Sequence, residues 1–242
     1  MSFLFVLVVG LAAGTISGIV GTGSSIMLMP VLVYQYGPQQ AVPIMAVAAV
    51  MANLSRILAW WREVDWRACA AYSVTGIPAA ALGARTLLVL PPHAVDISIG
   101  LFLIAMVPVR HWLARHDLKV TLWHLAIGGA VIGYITGIVV STGPLSVPLF
   151  LFYGLTKGAF LATEAASSLG LYVSKSLTFQ QFGALTADVA LKGLIAGSSL
   201  MAGAFIARRF VLRLEPDVFR LVMDGIMLVA GGAMLFNAFI GA

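Results

Sequence analysis

Charge is scarce in this sequence. Only 10% of its 242 residues are charged and 61% are hydrophobic, where a soluble domain carries about 25% charged residues. No soluble domain of this size hides so much apolar surface, so lipid must solvate much of the chain. Cysteine is nearly absent: Cys69 stands alone. That excludes an intrachain disulfide and a cysteine-based metal site. Polar stretches are short, and none is long enough to form an extramembrane domain. The net charge of +5 is distributed over short loops, which argues against a nucleic-acid partner, since that would need a basic face on a soluble domain. There is no GxxxxGK[ST], no HExxH, and no GxSxG with a plausible triad. The chain is therefore expected to be neither an ATP-driven pump by itself nor an enzyme, with no cofactor and no metal. The opening MSFLFVLVVGLAAG has no Lys or Arg ahead of its apolar run. A secretory signal needs a positive start, so Ser2 to Val20 is expected to be a retained helix.

What is present is a series of apolar segments. A spanning helix needs roughly 20 mostly apolar residues, and such segments run near 3–20, 39–61, 68–90, 94–112, 122–140, 158–180, 187–208 and 217–240. Two more, 24–36 and 143–154, are shorter, and each follows a break. The first break is Gly21-Thr22-Gly23-Ser24-Ser25, the second Ser141-Thr142-Gly143-Pro144. The breaks belong to an internal repeat: GTISGIVGTGSSIMLMPVLVYQYG resembles GYITGIVVSTGPLSVPLFLFYG. Gly14 and Gly133, Gly18 and Gly137, and Val20 and Val139 are each 119 residues apart. Pro30 and Pro148, and Tyr36 and Tyr153, follow with small shifts of register. Ser55-Arg56 matches Ser174-Lys175 at 119, and Gly83-Ala84 matches Gly203-Ala204 at 120. The reading is one integral membrane unit of two copies, 1–112 and 122–242, joined by a cytoplasmic linker at 113–121.

Charge orients the copies, because cytoplasmic loops carry the excess of Lys and Arg. If each half crosses four times and the short segments do not change sides, the basic residues split eight to six, which specifies nothing. If each short segment returns the chain to the side it came from, one side holds eleven of the 14 and the other only Arg85, Lys175 and Lys192. Trp60, Trp61, Trp66, Trp112 and Trp123 then lie beside loops on the basic side, as an interfacial belt does. Each half has an odd number of elements in this arrangement, so the fold class is all-α integral membrane with two inverted repeats. Each repeat holds a broken or re-entrant helix pair plus three transmembrane helices, and both termini face away from the cytoplasm of an inner (plasma) membrane. Whether 24–36 and 143–154 cross fully or are re-entrant stays open.

Interrupted segments at matching positions of inverted repeats point to a transport site near the membrane midplane. A backbone break in hydrocarbon costs several kcal/mol per unpaired group, so it is tolerated where it lines a wet or ligand-filled cavity. The short helices begin near Ser24 and Gly143, and their free N–H groups and positive dipole ends would face the protein centre, forming an anion site. Gly23 and Gly143 would allow close approach and unusual backbone angles. The candidate substrate residues are Thr22, Gly23, Ser24 and Ser25 in the first break and Ser141, Thr142 and Gly143 in the second. Asn53 with Arg56, and Ser174 with Lys175, add two repeat-related cations that could draw an anion from either leaflet; snorkelling to the interface is the bland reading of both. Gly10, Gly14 and Gly18, at four-residue spacing, point to helix packing instead. Glu164 is the most deeply placed carboxylate and a candidate for carrying a coupling proton; Asp224 is a weaker one. His93, His111, His116 and His124 lie in or near loops without metal-ligand spacing. Arg208, Arg209 and Arg213 read as a topology signal or lipid contact.

The two glycine-rich breaks with a downstream proline, Gly18 to Pro30 (GIVGTGSSIMLMP) and Gly137 to Pro148 (GIVVSTGPLSVP), resemble the TauE/SafE family of sulfite and organosulfonate exporters. The resemblance covers essentially the whole chain. Ser24 and Ser25 stand where that family commonly has glycine. It implies secondary, mostly outward transport of small sulfur oxyanions or sulfonates, such as sulfite or sulfoacetate. The expected partners are a small anionic substrate and membrane lipid, with a homodimer left open. The rival readings are a membrane-embedded enzyme acting on a lipid phosphate and a passive anion channel. The enzyme would need clustered carboxylates and an arginine at the breaks, and the breaks hold none.

Overall fold

A computed structural model describes residues 3–20, 23–116, 119–139 and 142–207, with 221, 224–225, 227–229, 231–232 and 235–236 near the C-terminus. Every regular element among the described residues is helical: α1 (Phe3–Val20), α2 (Ser24–Tyr36), α3 (Pro38–Trp60), α4 (Trp66–Val89), α5 (Pro92–Ala114), α6 (Leu122–Ile138), α7 (Gly143–Phe152), α8 (Lys157–Gln181) and α9 (Ala187–Ala207). A 3-10 turn, Trp61–Glu63, links α3 toward α4. The expected segment 217–240 and the Arg208, Arg209 and Arg213 cluster lie wholly or partly outside the described residues.

Local chemistry sets the helix ends. Asp65 caps α4, its carboxylate accepting from the N–H groups of Arg67 at 3.0 Å and Ala68 at 3.1 Å. Thr121 and His124 form a reciprocal capping box at α6; each such cap contributes about 1 kcal/mol. The short helices α2 and α7 each hand over to the next helix through a left-handed glycine, Gly37 (φ 75°) and Gly154 (φ 103°). At about 1.5 Å per residue, α2 and α7 are about 20 and 15 Å long. Neither matches a hydrocarbon core of about 30 Å, whereas α3, α4, α5 and α8, at 23 to 25 residues, do.

Small residues bring two helix pairs to backbone contact. A Cβ on Gly14 of α1 would sit 2.3 Å from the Leu200 carbonyl oxygen of α9, and one on Gly18 would sit 2.8 Å from Ala204 Cα. On α6, a Cβ on Gly133 would sit 2.4 Å from the Gly76 oxygen of α4, and one on Gly137 would sit 2.5 Å from the Ala80 oxygen. In both pairs the contacts advance along the two helices together, so α1 runs parallel to α9 and α6 parallel to α4. This is the packing role that four-residue glycine spacing implies. Gly10 and Gly129 belong to the same two stripes, also against α9 and α4. Helix α3 packs on both α8 and α9, and α8 also on α4. The start of α8 lies against the α3–α4 turn: the Asp65 N–H donates to Thr163 Oγ1 at 2.9 Å, and a Cβ on Gly158 would meet Glu63 and Trp60. The chain around Arg62 and the start of α8 at Lys157 therefore share one end of the bundle. Trp61, Trp66, Trp112 and Trp123 are exposed.

Candidate functional site

Both backbone breaks reach one cavity of about 30 Å³. By the space a single water needs, that is room for about two or three waters, the scale of one small oxyanion group. Gly23, Ser24 and Ser25 line it from the start of α2, and Thr142 and Gly143 from the start of α7. Ser17 of α1 adds a hydroxyl. Helix α3 contributes Ala49, Ala52, Asn53 and Arg56; α8 contributes Glu164, Ser168 and Tyr172. Arg56 lies four residues from the end of α3 and Glu164 seven from the start of α8, so the charged groups sit about 6–10 Å in from that end of the bundle. The rest of the cavity reaches the middle of both helices at Ala49 and Tyr172.

The two breaks are built differently. Gly23 caps α2 in the left-handed region, at φ 109° and ψ −19°, without a side-chain capping bond. A side chain there would be strained. The first helical bond back to it comes from the Met27 N–H, at 3.0 Å, so the N–H groups of the first turn lie at the positive end of the dipole with no side chain to neutralise it. At the second break, Thr142 occupies the capping position, and its hydroxyl bonds to the Thr136 hydroxyl rather than capping the helix. Gly143 opens α7 in helical conformation. The expectation of unusual backbone angles is thus met at Gly23 and corrected at Gly143, where the missing side chain leaves open the approach to the helix end. Thr22 and Ser141 lie outside the described residues.

Charge in the cavity is paired across the halves. Arg56 Nη1 donates to Glu164 Oε2 at 3.0 Å, and both side chains are nearly buried. Arg56 Nη2 donates to Asn53 Oδ1. Asn53 Nδ2 donates in turn to the Ala49 carbonyl at 2.8 Å, which fixes the amide with its oxygen toward the guanidinium. The other carboxylate oxygen, Glu164 Oε1, accepts from Ser146 at 3.0 Å and Ser168 at 2.8 Å. A buried pair satisfied in this way is expensive to break on one side only, about 3–5 kcal/mol.

Ser174 and Lys175 do not come into the cavity. Lys175 is fully buried, and its ammonium donates to the carbonyls of Thr136 at 2.7 Å and Val139 at 2.8 Å. Those carbonyls end α6, where acceptors lack helical partners and the dipole is negative; the cation clamps the second break from behind. Ser174 donates to the Ile77 carbonyl at 2.9 Å, tying α8 to α4. The repeat-related cations thus do different work, because Glu164 has only Met45 as its counterpart 119 residues earlier. Asp224 pairs with His111 at 3.5 Å, away from the cavity. Sequence reasoning missed Ser17, Ser146, Ser168 and Tyr172. Ser168 was signalled by its i+4 spacing from Glu164, Tyr172 by its place 119 residues after Asn53, and Ser17 by its place 119 residues before Thr136; Ser146 carried no signal. Among the described residues, no three His, Cys, Asp or Glu side chains converge on a metal position.

The model of the family described as sulfite exporter TauE/SafE matches residues 6–234. The chain is similar to the probable membrane transporter protein YjnA of Bacillus subtilis (strain 168), 24% identical over 93% of this chain and 97% of that one. It is also similar to the probable membrane transporter protein y4hK of Sinorhizobium fredii (strain NBRC 101917 / NGR234), 28% identical over 72% of this chain and 73% of that one. No solved structure matches it.

Proposed function

We propose that this chain, which belongs to the sulfite exporter TauE/SafE family and is a membrane transporter, exports a small anion, sulfite or a short organosulfonate such as sulfoacetate. The anion is held where the two breaks meet. The observation that carries this reading is the convergence itself: two uncapped helix N-termini and the Arg56 guanidinium face one small buried cavity. Helix N-termini and arginine both suit sulfur and phosphorus oxyanions. Gly23 and Gly143 let an oxyanion approach the main chain, while Ser17, Ser24, Ser25 and Asn53 offer neutral donors. The small volume favours sulfite or a bare sulfonate group over a bulky solute.

The reading includes an inner-membrane, multi-pass chain of two inverted repeats working by alternating access. Packing supports it. Under the 119-residue offset α1 corresponds to α6 and α4 to α9, so the two parallel glycine-packed pairs, α1 with α9 and α4 with α6, exchange with one another. Rigid pairs of this kind can rock about a site that lies between them.

The test is a thermal-shift screen of the purified protein against sulfite, sulfoacetate, taurine, sulfate, phosphate and acetate. A ligand at about 100 times its Kd stabilises the native state by about 2.7 kcal/mol, a shift of several degrees. Stabilisation by sulfite or sulfoacetate is expected. A response to none of the anions would overturn the reading.

A further inference from the structure

An anion entering this cavity finds its guanidinium already occupied. Glu164 Oε2 holds Arg56 Nη1 at 3.0 Å, and no other charged side chain lines the cavity among the described residues. If Glu164 stayed ionised, substrate and carboxylate would sit as like charges a few ångströms apart in a buried site, where repulsion is weakly screened. Resting on the reading of this cavity as the anion site, we infer that Glu164 is the carrier's internal stand-in for its substrate. Carboxylate and anion take Arg56 in turn, and a proton joins Glu164 each time the anion does.

The geometry divides the two carboxylate oxygens. Oε1 is held by Ser146 and Ser168, and these hydroxyls can keep donating to it as the carbonyl oxygen of a neutral acid. Among the described residues it is Oε2 that receives the Arg56 bond, so Oε2 is the atom set free when an anion arrives and the atom that takes the proton. A neutral acid then needs a polar neighbour for its new O–H. Tyr72 of α4, a helix packed on α8, is fully buried, and its hydroxyl has no hydrogen-bond partner among the described residues. Among the described residues, Arg56 of α3 bonds Glu164 and Tyr72 of α4 is the further titratable group near it; Tyr172 of α8 lines the same cavity about two turns along, and α7 presents the Ser146 hydroxyl.

The balance closes. Empty, the site holds a guanidinium and a carboxylate and is neutral. On loading, Oε2 accepts a proton from water on the open side, the Arg56–Glu164 bond breaks, and the anion replaces it. The loaded site holds a guanidinium, a monoanion and a neutral acid, and is neutral again. On release the proton returns to water on the far side and the ion pair re-forms. Anion and proton cross together without net charge. A monoanion such as hydrogen sulfite or a simple sulfonate fits this scheme as it stands; sulfite and sulfoacetate, which are dianions when fully ionised, fit it with one proton retained, because a second buried negative charge is costly.

The experiment is isothermal titration with methanesulfonate, a monoanion ionised across the working pH range, in two buffers of different ionisation heat. The wild-type protein is expected to take up about one proton per anion bound. Its affinity should fall by up to about tenfold per pH unit on the alkaline side. Glu164→Gln should bind without proton uptake and with an affinity independent of pH, and Glu164→Asp should retain the uptake. Binding by the wild type without proton uptake would overturn this inference alone. Equal pH dependence in wild type and Glu164→Gln would also overturn it. Binding by neither protein at any pH would overturn the anion-site reading beneath it.

Discussion

Replacing Gly133 by alanine should separate helices α4 and α6. The added Cβ would stand 2.4 Å from the Gly76 carbonyl oxygen and 2.8 Å from Gly76 Cα, where non-bonded contacts are comfortable at about 3.5–4.0 Å. Both obstacles are backbone, so no side chain can turn aside, and the helices must part by about 1 Å at their closest point. Overpacking of this kind costs about 1–3 kcal/mol. Alanine returns about 0.5–1 kcal/mol through its better helix propensity. The net loss is about 0.5–2 kcal/mol, a fall in Tm of about 1–8 °C for a chain of this size. Gly14→Ala, which meets Leu200 backbone at 2.3 Å, should lose a similar amount. Gly170→Ala is the control: its Cβ would touch only the Ile77 side chain, at 2.9 Å from Cδ1, and that methyl can move. Thermal unfolding in detergent, followed by tryptophan fluorescence, measures all three. Gly133→Ala as stable as Gly170→Ala would refute the close packing of these helices.

Lys175→Met removes two charge-assisted bonds to the end of α6, each contributing about 1.5–3 kcal/mol, and relieves the burial of an ammonium; thermal shift and titration calorimetry should show altered stability with anion affinity changed less than about threefold. Gly23→Ala forces a side chain into the left-handed region at about 1–3 kcal/mol and should weaken anion binding more than Gly143→Ala, whose position is helical; equal effects in calorimetry would contradict the two break geometries. In a Cys69→Ala background, single cysteines at Lys119 and Arg62 should be labelled from the cytoplasm and one at Asp188 from the opposite face; labelling of Lys119 and Arg62 from different faces would refute the membrane arrangement.

The helical segments were legible because lipid imposes a simple rule: a segment that spans must be long, apolar and internally bonded. Segment 94–112 became Pro92–Ala114 and 158–180 became Lys157–Gln181. The breaks were legible because Gly-Ser and Gly-Pro interruptions inside apolar runs have few other uses. The partners of the charged residues were not. The 119-residue offset equates Arg56 with Lys175, yet one faces Glu164 in the cavity and the other the carbonyls of Thr136 and Val139. That difference is set by a carboxylate 108 residues from Arg56, a tertiary fact that spacing along one helix does not encode. Ser146 is similar: it was one more hydroxyl in an apolar helix until folding placed it against Glu164.

The central claim, that Arg56 at the meeting of the two breaks holds the anion, is tested most directly by calorimetric titration of methanesulfonate into Glu164→Gln and into the double variant Arg56→Gln/Glu164→Gln. Neither variant leaves Glu164 buried and unpaired, but Glu164→Gln breaks the Arg56 pair on one side at about 3–5 kcal/mol, so both proteins are first checked to elute as monodisperse species. Losing a hydrogen bond to a charged group is worth about 1.5–3 kcal/mol, so the double variant should bind about ten- to 150-fold more weakly than Glu164→Gln. Equal affinity in the two variants would show that the anion binds elsewhere and that the Arg56–Glu164 pair is structural.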